Sequence, residues 1–251
     1  MTDASSPDLT IVIAAFDEEE TVEGVLRELC DTLGDAIAFE VLVVDDGSRD
    51  RTHEICRDLC DELPRLRVVR HPRNLGKSAA ILSAAHEARG RWILTMDADG
   101  QNDPNDFPRL WQAACDLPDE EPPTIICGKR SHRADTRVKW LSSKIANAVR
   151  RRLLNDETPD TGCGIKLFPR RAFLELPQFH NIHRFLPCLF LRQGGKTLSL
   201  TVNDRPRQGG VSKFGFSNRF FTGIVDLLGV MWLVRRSTWA FSEIRERELG
   251  R

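Results

Sequence analysis

Residues 9–46 have the sequence LTIVIAAFDEEETVEGVLRELCDTLGDAIAFEVLVVDD, in which two apolar, β-branched runs flank a segment with helical periodicity. The apolar runs are continuous rather than alternating, which is typical of parallel strands that are covered on both faces. The helical segment between them supplies the crossover that neighbouring parallel strands require. This stretch therefore predicts a βαβ unit.

The same alternation continues to residue 130. Further strand-like runs start at residues 66, 91 and 124, and helical patterns occupy residues 49–63, 76–90 and 106–117. The chain then has a helix-like stretch at 136–155, a strand-like run at 196–203 and a basic, glycine-containing loop at 205–215. No internal repeat or low-complexity linker separates these elements. They are predicted to complete one α/β domain with a Rossmann-like, mostly parallel sheet that is covered by helices on both faces.

The composition limits the classes of function. With 251 residues, 41% of them hydrophobic, the chain can bury a core of this kind. Its 36 Lys and Arg residues balance 37 Asp and Glu residues, so no overall electrostatic field favours the binding of nucleic acid.

Seven cysteines without CxxC spacing and an N-terminus without a signal-peptide pattern favour a reducing cytoplasm. His53, Cys56 and Cys60 could share a helical face as metal ligands, but they lack a fourth ligand nearby, so packing is preferred.

Polar tips follow three of the predicted strands, in AAFDEEE, VVDDGS and TMDADGQ. Ligands of open α/β sheets bind beyond the carboxyl ends of the strands, so these loops are predicted to converge on one crevice. The carboxylates of Asp97 and Asp99 are hard oxygen ligands that suit Mg²⁺ or Mn²⁺. Mg²⁺ is commonly held by one or two carboxylates together with substrate phosphates, which makes a nucleoside diphosphate a natural partner.

Each of these stretches also has a simpler interpretation. The DxD motif alone is compatible with an exposed acidic turn, and VVDDGS with ordinary turn and capping residues. Asp103, before Pro104, is predicted to be such a turn and cap. The stretch HPRNLGKS lacks the first glycine of a P-loop, which argues against an ATPase.

Taken in order, the motifs resemble family 2 glycosyltransferases of the GT-A fold, and within them the polyprenyl-phosphate glycosyltransferases typified by dolichol-phosphate mannosyltransferase. The resemblance runs from residue 10 to about residue 215, and the ordered co-occurrence of its motifs is specific to that family. The matching stretches are IVIAAFDEEE, EVLVVDDGSRDRT, HPRNLGKSAAILSAAHEARG, ILTMDADGQNDP, GKR, DTGCGIKLFPR, RF and RPRQGGVSKFG.

The resemblance implies roles for individual residues. The divalent metal, Mg²⁺ or Mn²⁺, and through it the donor diphosphate, would be held by Asp97, Asp99 and Gln101. The nucleotide would be bound by Ala14, Phe16, Glu18, Val44 and Asp46, with Ala98 in the metal motif. The basic residues around the donor and acceptor phosphates would be Arg130, Arg207 and Lys213, with Ser212 as an additional donor. The predicted catalytic residues are Asp99, Arg130, Arg207 and Lys213; solvated surface charge is the alternative for the three basic ones.

Two stretches depart from the family pattern. The usual Pro-Thr-Tyr-Asn-Glu is AAFDE at residues 14–18, so Phe16 keeps an aromatic face where the base stacks, but a Tyr hydroxyl and a Pro are lost. The choice between a UDP-linked and a GDP-linked sugar is therefore open. Gly100 replaces a common Leu or Phe and is expected to loosen the loop near the metal.

The predicted activity is metal-dependent, inverting transfer of a sugar from a nucleotide diphosphate sugar to a polyprenyl phosphate, undecaprenyl or dolichyl, for cell-envelope glycan or glycolipid modification. A phosphate acceptor is already ionised at neutral pH, so alignment and charge neutralisation matter more than a general base. One alternative is a family 2 enzyme with a saccharide hydroxyl acceptor, for which Asp160 of DTGCG is the candidate base. Another is a protein that binds a nucleotide sugar without turnover.

The predicted organisation is a disordered N-terminus at residues 1–8, a GT-A domain at 9–215 and an amphipathic helical segment at 216–251. No apolar run reaches the about 20 residues of a transmembrane helix. The apolar and aromatic run 220–234, with Arg219, Arg235 and Arg236, fits peripheral binding at the inner face of the cytoplasmic membrane, as does the basic stretch 139–154. Core helices or a subunit interface are the alternatives, and the oligomeric state is open.

Overall fold

The computed structural model of the protein describes residues 7–118, 122–131, 150, 152–154, 156, 158–207, 209 and 216–236, with the backbone alone for 216–222. Some of the predictions fall outside this part of the chain. They concern most of the N-terminal segment, Ser212 and Lys213, most of the basic stretch 139–154, the side chain of Arg219, and residues 237–251.

The described residues form one seven-stranded sheet in the order β3-β2-β1-β4-β6-β5-β7. Its strands are β1 (Leu9–Ala15), β2 (Phe39–Asp45), β3 (Leu66–Arg70), β4 (Trp92–Asp97), β5 (Thr124–Arg130), β6 (Lys166–Pro169) and β7 (Lys196–Val202). Strand β6 runs antiparallel to both of its neighbours, and the other pairs of strands are parallel. The predicted mostly parallel sheet is confirmed.

Helices cover both faces of this sheet. They are α1 (Val22–Leu33), α2 (Thr52–Glu62), α3 (Lys77–Glu87), α4 (Phe107–Cys115), α5 (Arg170–Leu174), α6 (Leu186–Arg192) and α7 (Phe216–Arg235), with short 3-10 helices at Pro104–Asp106 and Ile182–Arg184. Successive strand residues point to opposite faces, so Ile11 and Ile13 pack with α1, α2 and α4, whereas Val12 packs with the other helices. The predicted α/β fold with helices on both faces is confirmed.

The cysteines of α2 belong to the core of the first face. Cys56 has no exposed surface, and Cys60 packs against the same cluster. Burial raises the pKa of the Cys56 thiol to about 12. The predicted packing role of these two cysteines is confirmed.

The carboxyl ends of the three central strands lie side by side. Ala14 of β1 is in register with Val44 of β2 on one side and with Asp97 of β4 on the other. Strands β5 and β7 run parallel to each other, with Arg130 in register with Val202, and they share the direction of β4. The loops that follow these strands therefore leave the sheet at one edge, as the sequence predicts.

Helix α7 has a buried side and an exposed apolar side. Val230 is buried against the second face, whereas Val225, Leu228 and Trp232 are exposed by 68%, 58% and 64%. These three residues recur at intervals of three and four and therefore share one face of the helix. None of the described helices combines the length and the apolar composition that crossing a membrane requires.

A glycine in VVDDGS lets two of the edge loops touch. Gly47 has a φ of +74°, which side chains with a Cβ rarely adopt. A Cβ at this position would lie 2.6 Å from the Cα of Arg73 and 2.7 Å from the backbone nitrogen of Asn74. The close approach of the two backbones fixes the loop after β2 against the loop after β3.

Gly47→Ala is expected to destabilise the fold by about 2 kcal/mol, because it combines a positive φ with an overlap of backbone atoms. Gly24→Ala is the matched control: Gly24 lies in α1, and its added Cβ would meet nothing within 4 Å. The control is expected to stabilise the helix by up to about 1 kcal/mol. Urea unfolding of both variants measures the difference, and equal stability of the two would contradict this reading of the loop.

Candidate active site

Asp97 is the last residue of β4, where the strand meets the turn of the DADGQN motif. Its backbone N–H donates to Asn102 Oδ1 at 2.8 Å, which closes the turn. Its carboxylate forms an ion pair with the ammonium of Lys77 at the start of α3. The same carboxylate lies against Gly164, where an added Cβ would overlap it. Three segments that are distant in sequence thus meet at one side chain.

The surroundings of Asp97 stabilise its charge. Burial alone would raise the pKa of this carboxyl, but the positive charges of Lys77, Lys166 and Arg130 hold it below its ordinary value. Asp97 is therefore ionised at neutral pH, which is the form that binds a metal ion.

Asp99 is paired with Arg207, which comes from the segment after β7. The guanidinium donates from Nη2 at 3.0 Å and from Nε at 3.3 Å to Asp99 Oδ2, and its Nη2 lies 3.7 Å from Glu18 Oε1. Asp99 Oδ1 accepts the N–H of Gln101 at 3.2 Å. The structure thus brings three predicted site residues together: Glu18, Asp99 and Arg207.

The segment 203–207 runs along the predicted metal motif. The N–H of Arg205 donates to the carbonyl of Gln101 at 2.9 Å, and Gln101 Nε2 donates back to the carbonyl of Arg205 at 3.4 Å. Asn102 and Asp204 form a β-bridge beside them. Gly100 has a φ of +75° and so supplies the backbone conformation of this turn.

Asp103 ends the motif as a cap. Its Oδ1 accepts the N–H of Asn105 at 3.0 Å at the start of the 3-10 helix, and its carboxylate also pairs with Arg205. The predicted turn and cap at Asp103 is confirmed. The acids of this motif therefore divide into Asp97 and Asp99, which face the crevice residues, and Asp103, which shapes the loop.

The loops after β1 and β2 cap each other. The N–H of Asp17 donates to Ser48 Oγ at 2.9 Å, and Asp17 Oδ1 accepts the N–H of Arg49 at 2.7 Å. The N–H of Glu18 donates to Thr52 Oγ1 at 2.8 Å. These bonds hold Phe16 and Glu18 in place beside the strand end that carries Ala14, and Thr21 Oγ1 donates to the carbonyl of Ala98 at 2.8 Å across the crevice.

Two residues predicted to bind the nucleotide are engaged by the protein itself. The side chain of Val44 has no exposed surface and packs in the core of the second face. The buried carboxylate of Asp46 accepts the N–H groups of Leu75 and Gly76 at 2.9 and 2.7 Å and lies 2.7 Å from His71 Nδ1. Asp46 therefore holds the loop that leads into α3. Direct contact of these two side chains with a nucleotide stays a prediction.

Arg130, at the end of β5, forms a two-point ion pair with Asp160. Its Nε and Nη2 donate to the two carboxylate oxygens at 2.8 and 3.0 Å. The exposed fractions of the two side chains are 18% and 9%. The positive charge of Arg130, the predicted phosphate residue, also lowers the pKa of Asp97, the predicted metal ligand.

Sequence reasoning missed three residues of this site: Lys77, Gly164 and Lys166. Lys77 opens a helix directly after a strand-end loop, a position from which a cation reaches the carboxyl edge of a sheet, and this is the signal that could have found it. Gly164 and Lys166 lie in DTGCGIK, where nothing in the local pattern indicates that one touches Asp97 and the other is buried beside it.

The donor set at this edge fits a divalent ion. Asp97 and Asp99 supply carboxylate oxygens, and each carboxylate forms an ion pair with a cationic side chain. Gln101 has an amide oxygen in the same turn. Among the described residues, no group of three His, Cys, Asp or Glu side chains could hold an ion. Mg²⁺ is commonly bound by one or two carboxylates together with phosphate oxygens of a substrate. These residues therefore fit a metal ion that binds together with a nucleoside diphosphate.

Comparison with known proteins places the chain in a family. The sequence model of "Glycosyl transferase family 2" matches residues 10–176, which include β1 to β4 and the loops at their ends. The chain belongs to glycosyl transferase family 2. The resemblance seen in the sequence is confirmed, and the protein is a family 2 glycosyltransferase.

The names of two curated relatives of this family 2 glycosyltransferase include a polyprenyl phosphate. Dodecaprenyl-phosphate galacturonate synthase of Rhizobium johnstonii is 30% identical over 92% of the chain and 68% of its own length. Undecaprenyl-phosphate 4-deoxy-4-formamido-L-arabinose transferase of Edwardsiella ictaluri is 28% identical over 82% of the chain. The chain spans 63% of the length of this second relative.

Solved structures share the fold of the chain. Glucosyl-3-phosphoglycerate synthase from Mycobacterium tuberculosis, crystallised with Mg²⁺ and UDP, superposes with a TM-score of 0.68 at 19% identity, over 89% of this chain and 80% of its own. A complex of the same enzyme with Mn²⁺, UDP-glucose and glycerol 3-phosphate has a TM-score of 0.61 at 18% identity, over 92% and 77%. The predicted GT-A fold is confirmed.

Gly164→Ala is expected to displace the Asp97 carboxylate, because the added methyl group overlaps its oxygens. Binding of Mn²⁺ in the presence of UDP, followed by electron paramagnetic resonance, should weaken by about tenfold or more, as for other changes in the residues that orient a metal ligand. Gly229→Ala, whose added Cβ meets nothing within 4 Å, is the control. Unchanged Mn²⁺ affinity in Gly164→Ala would contradict a metal role for Asp97.

Proposed function

We propose that this protein transfers a sugar from a UDP- or GDP-linked donor to a polyprenyl phosphate at the inner face of the cytoplasmic membrane. The observation that carries the proposal is the arrangement at the carboxyl edge of the sheet. There, the carboxylates of Asp97 and Asp99 at the end of β4 pair with Lys77 and Arg207, and Arg130 pairs with Asp160. We propose that these three cations bind phosphate groups of the substrates. The names of the curated relatives support this acceptor class.

The donor diphosphate is proposed to bind at Asp97 and Asp99 through Mg²⁺ or Mn²⁺, with Gln101 as the third ligand. A divalent ion at this position supplies Lewis-acid neutralisation of the departing nucleoside diphosphate. The protein contributes the two carboxylates, and Lys77 and Arg207, which pair with them in the structure, would contact phosphate oxygens of the donor. Phe16 is proposed to stack on the base, and Glu18, whose N–H donates to Thr52 Oγ1, is proposed to line the same pocket.

The acceptor proposal follows from the charge around Arg130. A phosphate monoester oxygen is already an anion at neutral pH, so it attacks without a general base and needs a cation that aligns it. Asp160, the candidate base for a saccharide hydroxyl, instead accepts two hydrogen bonds from Arg130 and fixes its direction. Direct in-line displacement by the phosphate oxygen inverts the anomeric centre.

Membrane attachment is proposed to use the exposed apolar face of α7. Val225, Leu228 and Trp232 form this face, and Arg235 and Arg236 follow at the end of the helix. Apolar and aromatic side chains beside basic ones favour the surface of an anionic bilayer. The rotation of α7 is fixed by Asp226, whose carboxylate accepts a hydrogen bond from Asn181 at 2.9 Å and so turns the apolar face outward.

The transfer is tested by incubating the purified protein and Mn²⁺ with undecaprenyl phosphate and a panel of UDP- and GDP-linked sugars, with mass spectrometry of the lipid product. Asp97→Asn and Asp99→Asn are each expected to lower kcat/KM by about 10²-fold or more, since each removes a charge that the leaving diphosphate depends on. Asp58→Asn, a change at an exposed acid of α2, should leave the rate unchanged.

Arg130→Gln and Asp160→Asn separate the two acceptor classes. With a phosphate acceptor, Arg130→Gln raises KM for the lipid more than KM for the donor, and Asp160→Asn lowers the rate less than Arg130→Gln does. A glycosylated saccharide as the product, lost only in Asp160→Asn, contradicts the proposal. Binding of nucleotide sugars without any product in the panel contradicts it as well.

Membrane attachment is tested by co-sedimentation with vesicles. The protein is expected to bind vesicles that contain phosphatidylglycerol better than pure phosphatidylcholine, and less at high salt, because screening weakens the attraction. Leu228→Glu combined with Trp232→Glu should lower the bound fraction by about tenfold. Leu198→Glu, at an apolar residue of β7 that is 40% exposed, is the matched control. Equal loss in both variants would argue against α7 as the contact surface.

A further inference from the structure

Lys166 is a buried lysine with no role in the function described so far. It is the first residue of β6 and is only 4% exposed. Its ammonium donates to the backbone carbonyls of Cys163 at 2.6 Å and Thr161 at 3.2 Å. Burying a charged amine costs free energy unless hydrogen bonds compensate for it. The two bonds therefore show where this lysine acts, which is on the turn Asp160–Gly164.

This turn touches two residues of the proposed active site. At its first residue, Asp160 holds the guanidinium of Arg130 by two hydrogen bonds. At its last residue, Gly164 lies in contact with the carboxylate of Asp97. A displacement of the turn would therefore move both the predicted phosphate residue and the predicted metal ligand.

A second anchor holds the turn from the neighbouring strand. Thr95 Oγ1, buried on β4, donates to the carbonyl of Gly164 at 2.7 Å. Thr95 is in register with Lys166, so the two side chains that bind the turn come from neighbouring positions of β4 and β6. Because β6 runs opposite to β4, the turn that precedes β6 reaches the edge where β4 ends.

We infer that Lys166 is a positioning residue whose ammonium fixes the Asp160–Gly164 turn, and thereby sets Asp97 for the metal-bound diphosphate and Arg130 for the acceptor phosphate. The inference rests on the proposed function. Lys166 touches neither substrate; it acts through the two carbonyls that it binds. Burial lowers the pKa of this lysine, and the nearby Lys77 acts in the same direction, whereas Cys127, Cys163 and Asp97 act in the opposite direction.

Charge and position predict opposite effects, which makes the inference testable. If Lys166 acted only as a positive charge near Asp97, its removal would strengthen the binding of a cation there. If it positions the turn, its removal weakens that binding, typically by about 10- to 100-fold for residues that orient metal ligands. Lys166→Met removes both the charge and the hydrogen bonds, whereas Lys166→Gln removes the charge and keeps two N–H donors for the carbonyls.

The experiment measures Mn²⁺ affinity in saturating UDP by electron paramagnetic resonance, and UDP affinity without metal by calorimetry. Lys166→Met is expected to weaken the binding of Mn²⁺ by about tenfold or more, and Lys166→Gln is expected to weaken it by about threefold at most. Both variants should leave metal-free UDP affinity unchanged, because the two carbonyls that Lys166 binds belong to the turn and not to the loops after β1 and β2. Lys196→Met, at an exposed lysine of β7, is the control.

Thr95→Val tests the same turn through its other anchor and keeps the shape of the side chain. Loss of this one hydrogen bond should weaken Mn²⁺ about fivefold. In the double variant Thr95→Val/Lys166→Met, the loss of Mn²⁺ affinity should be smaller than the product of the two single losses, because both substitutions act on the same turn. If Lys166→Met does not fold, Lys166→Gln and Thr95→Val carry the test by themselves.

Tighter or unchanged Mn²⁺ binding in Lys166→Met would overturn the inference. An equal change of Mn²⁺ affinity in Lys166→Met and Lys166→Gln would overturn it as well. Where Lys166→Met does not fold, tighter binding in Lys166→Gln or unchanged binding in Thr95→Val overturns it. A wild-type protein that does not bind Mn²⁺ with UDP would instead overturn the proposed function. The two failures are therefore distinguished by the wild-type measurement.

Discussion

The site depends on how the negative charge at the end of β4 is compensated. Asp97 and Asp99 bring two carboxylates into one partly buried turn, which is stable only if cations lie close by. Lys77 reaches Asp97 from the start of α3, and Arg207 reaches Asp99 from the segment after β7. Two ion pairs thus tie distant parts of the chain to one sheet edge. In the proposed function, the same two cations would contact phosphate when a metal ion binds the carboxylates.

The reversal of one strand completes this edge. In a fully parallel sheet, only loops that follow strands reach the carboxyl edge. Because β6 runs antiparallel to β4 and β5, the turn that precedes it, Asp160–Gly164, arrives at that edge as well. It brings Asp160 to Arg130 and Gly164 to Asp97. The topology thereby brings this turn into contact with both Asp97 and Arg130.

Local patterns made most of the fold predictable. Continuous apolar runs and helical periodicity are properties of short segments, so the strands of the βαβ units, the convergence of their polar ends and the cap at Asp103 follow from the sequence. The cations opposite the carboxylates do not, since the contacts of Lys77 with Asp97 and of Lys166 with the turn at 160–164 depend on tertiary register. Asp46 has a contact of the same kind: its carboxylate accepts the N–H groups of Leu75 and Gly76, a tertiary contact that the local pattern VVDDGS does not indicate.

The position of a bound metal tests this account most directly. Crystals of the protein with Mn²⁺ and UDP, measured at the manganese absorption edge, would locate the ion by its anomalous signal. We predict a peak in contact with carboxylate oxygens of Asp97 and Asp99, with the Lys77 ammonium moved from Asp97 toward the diphosphate. A peak elsewhere, with the ion pairs of Lys77 and Arg207 unchanged, would contradict it.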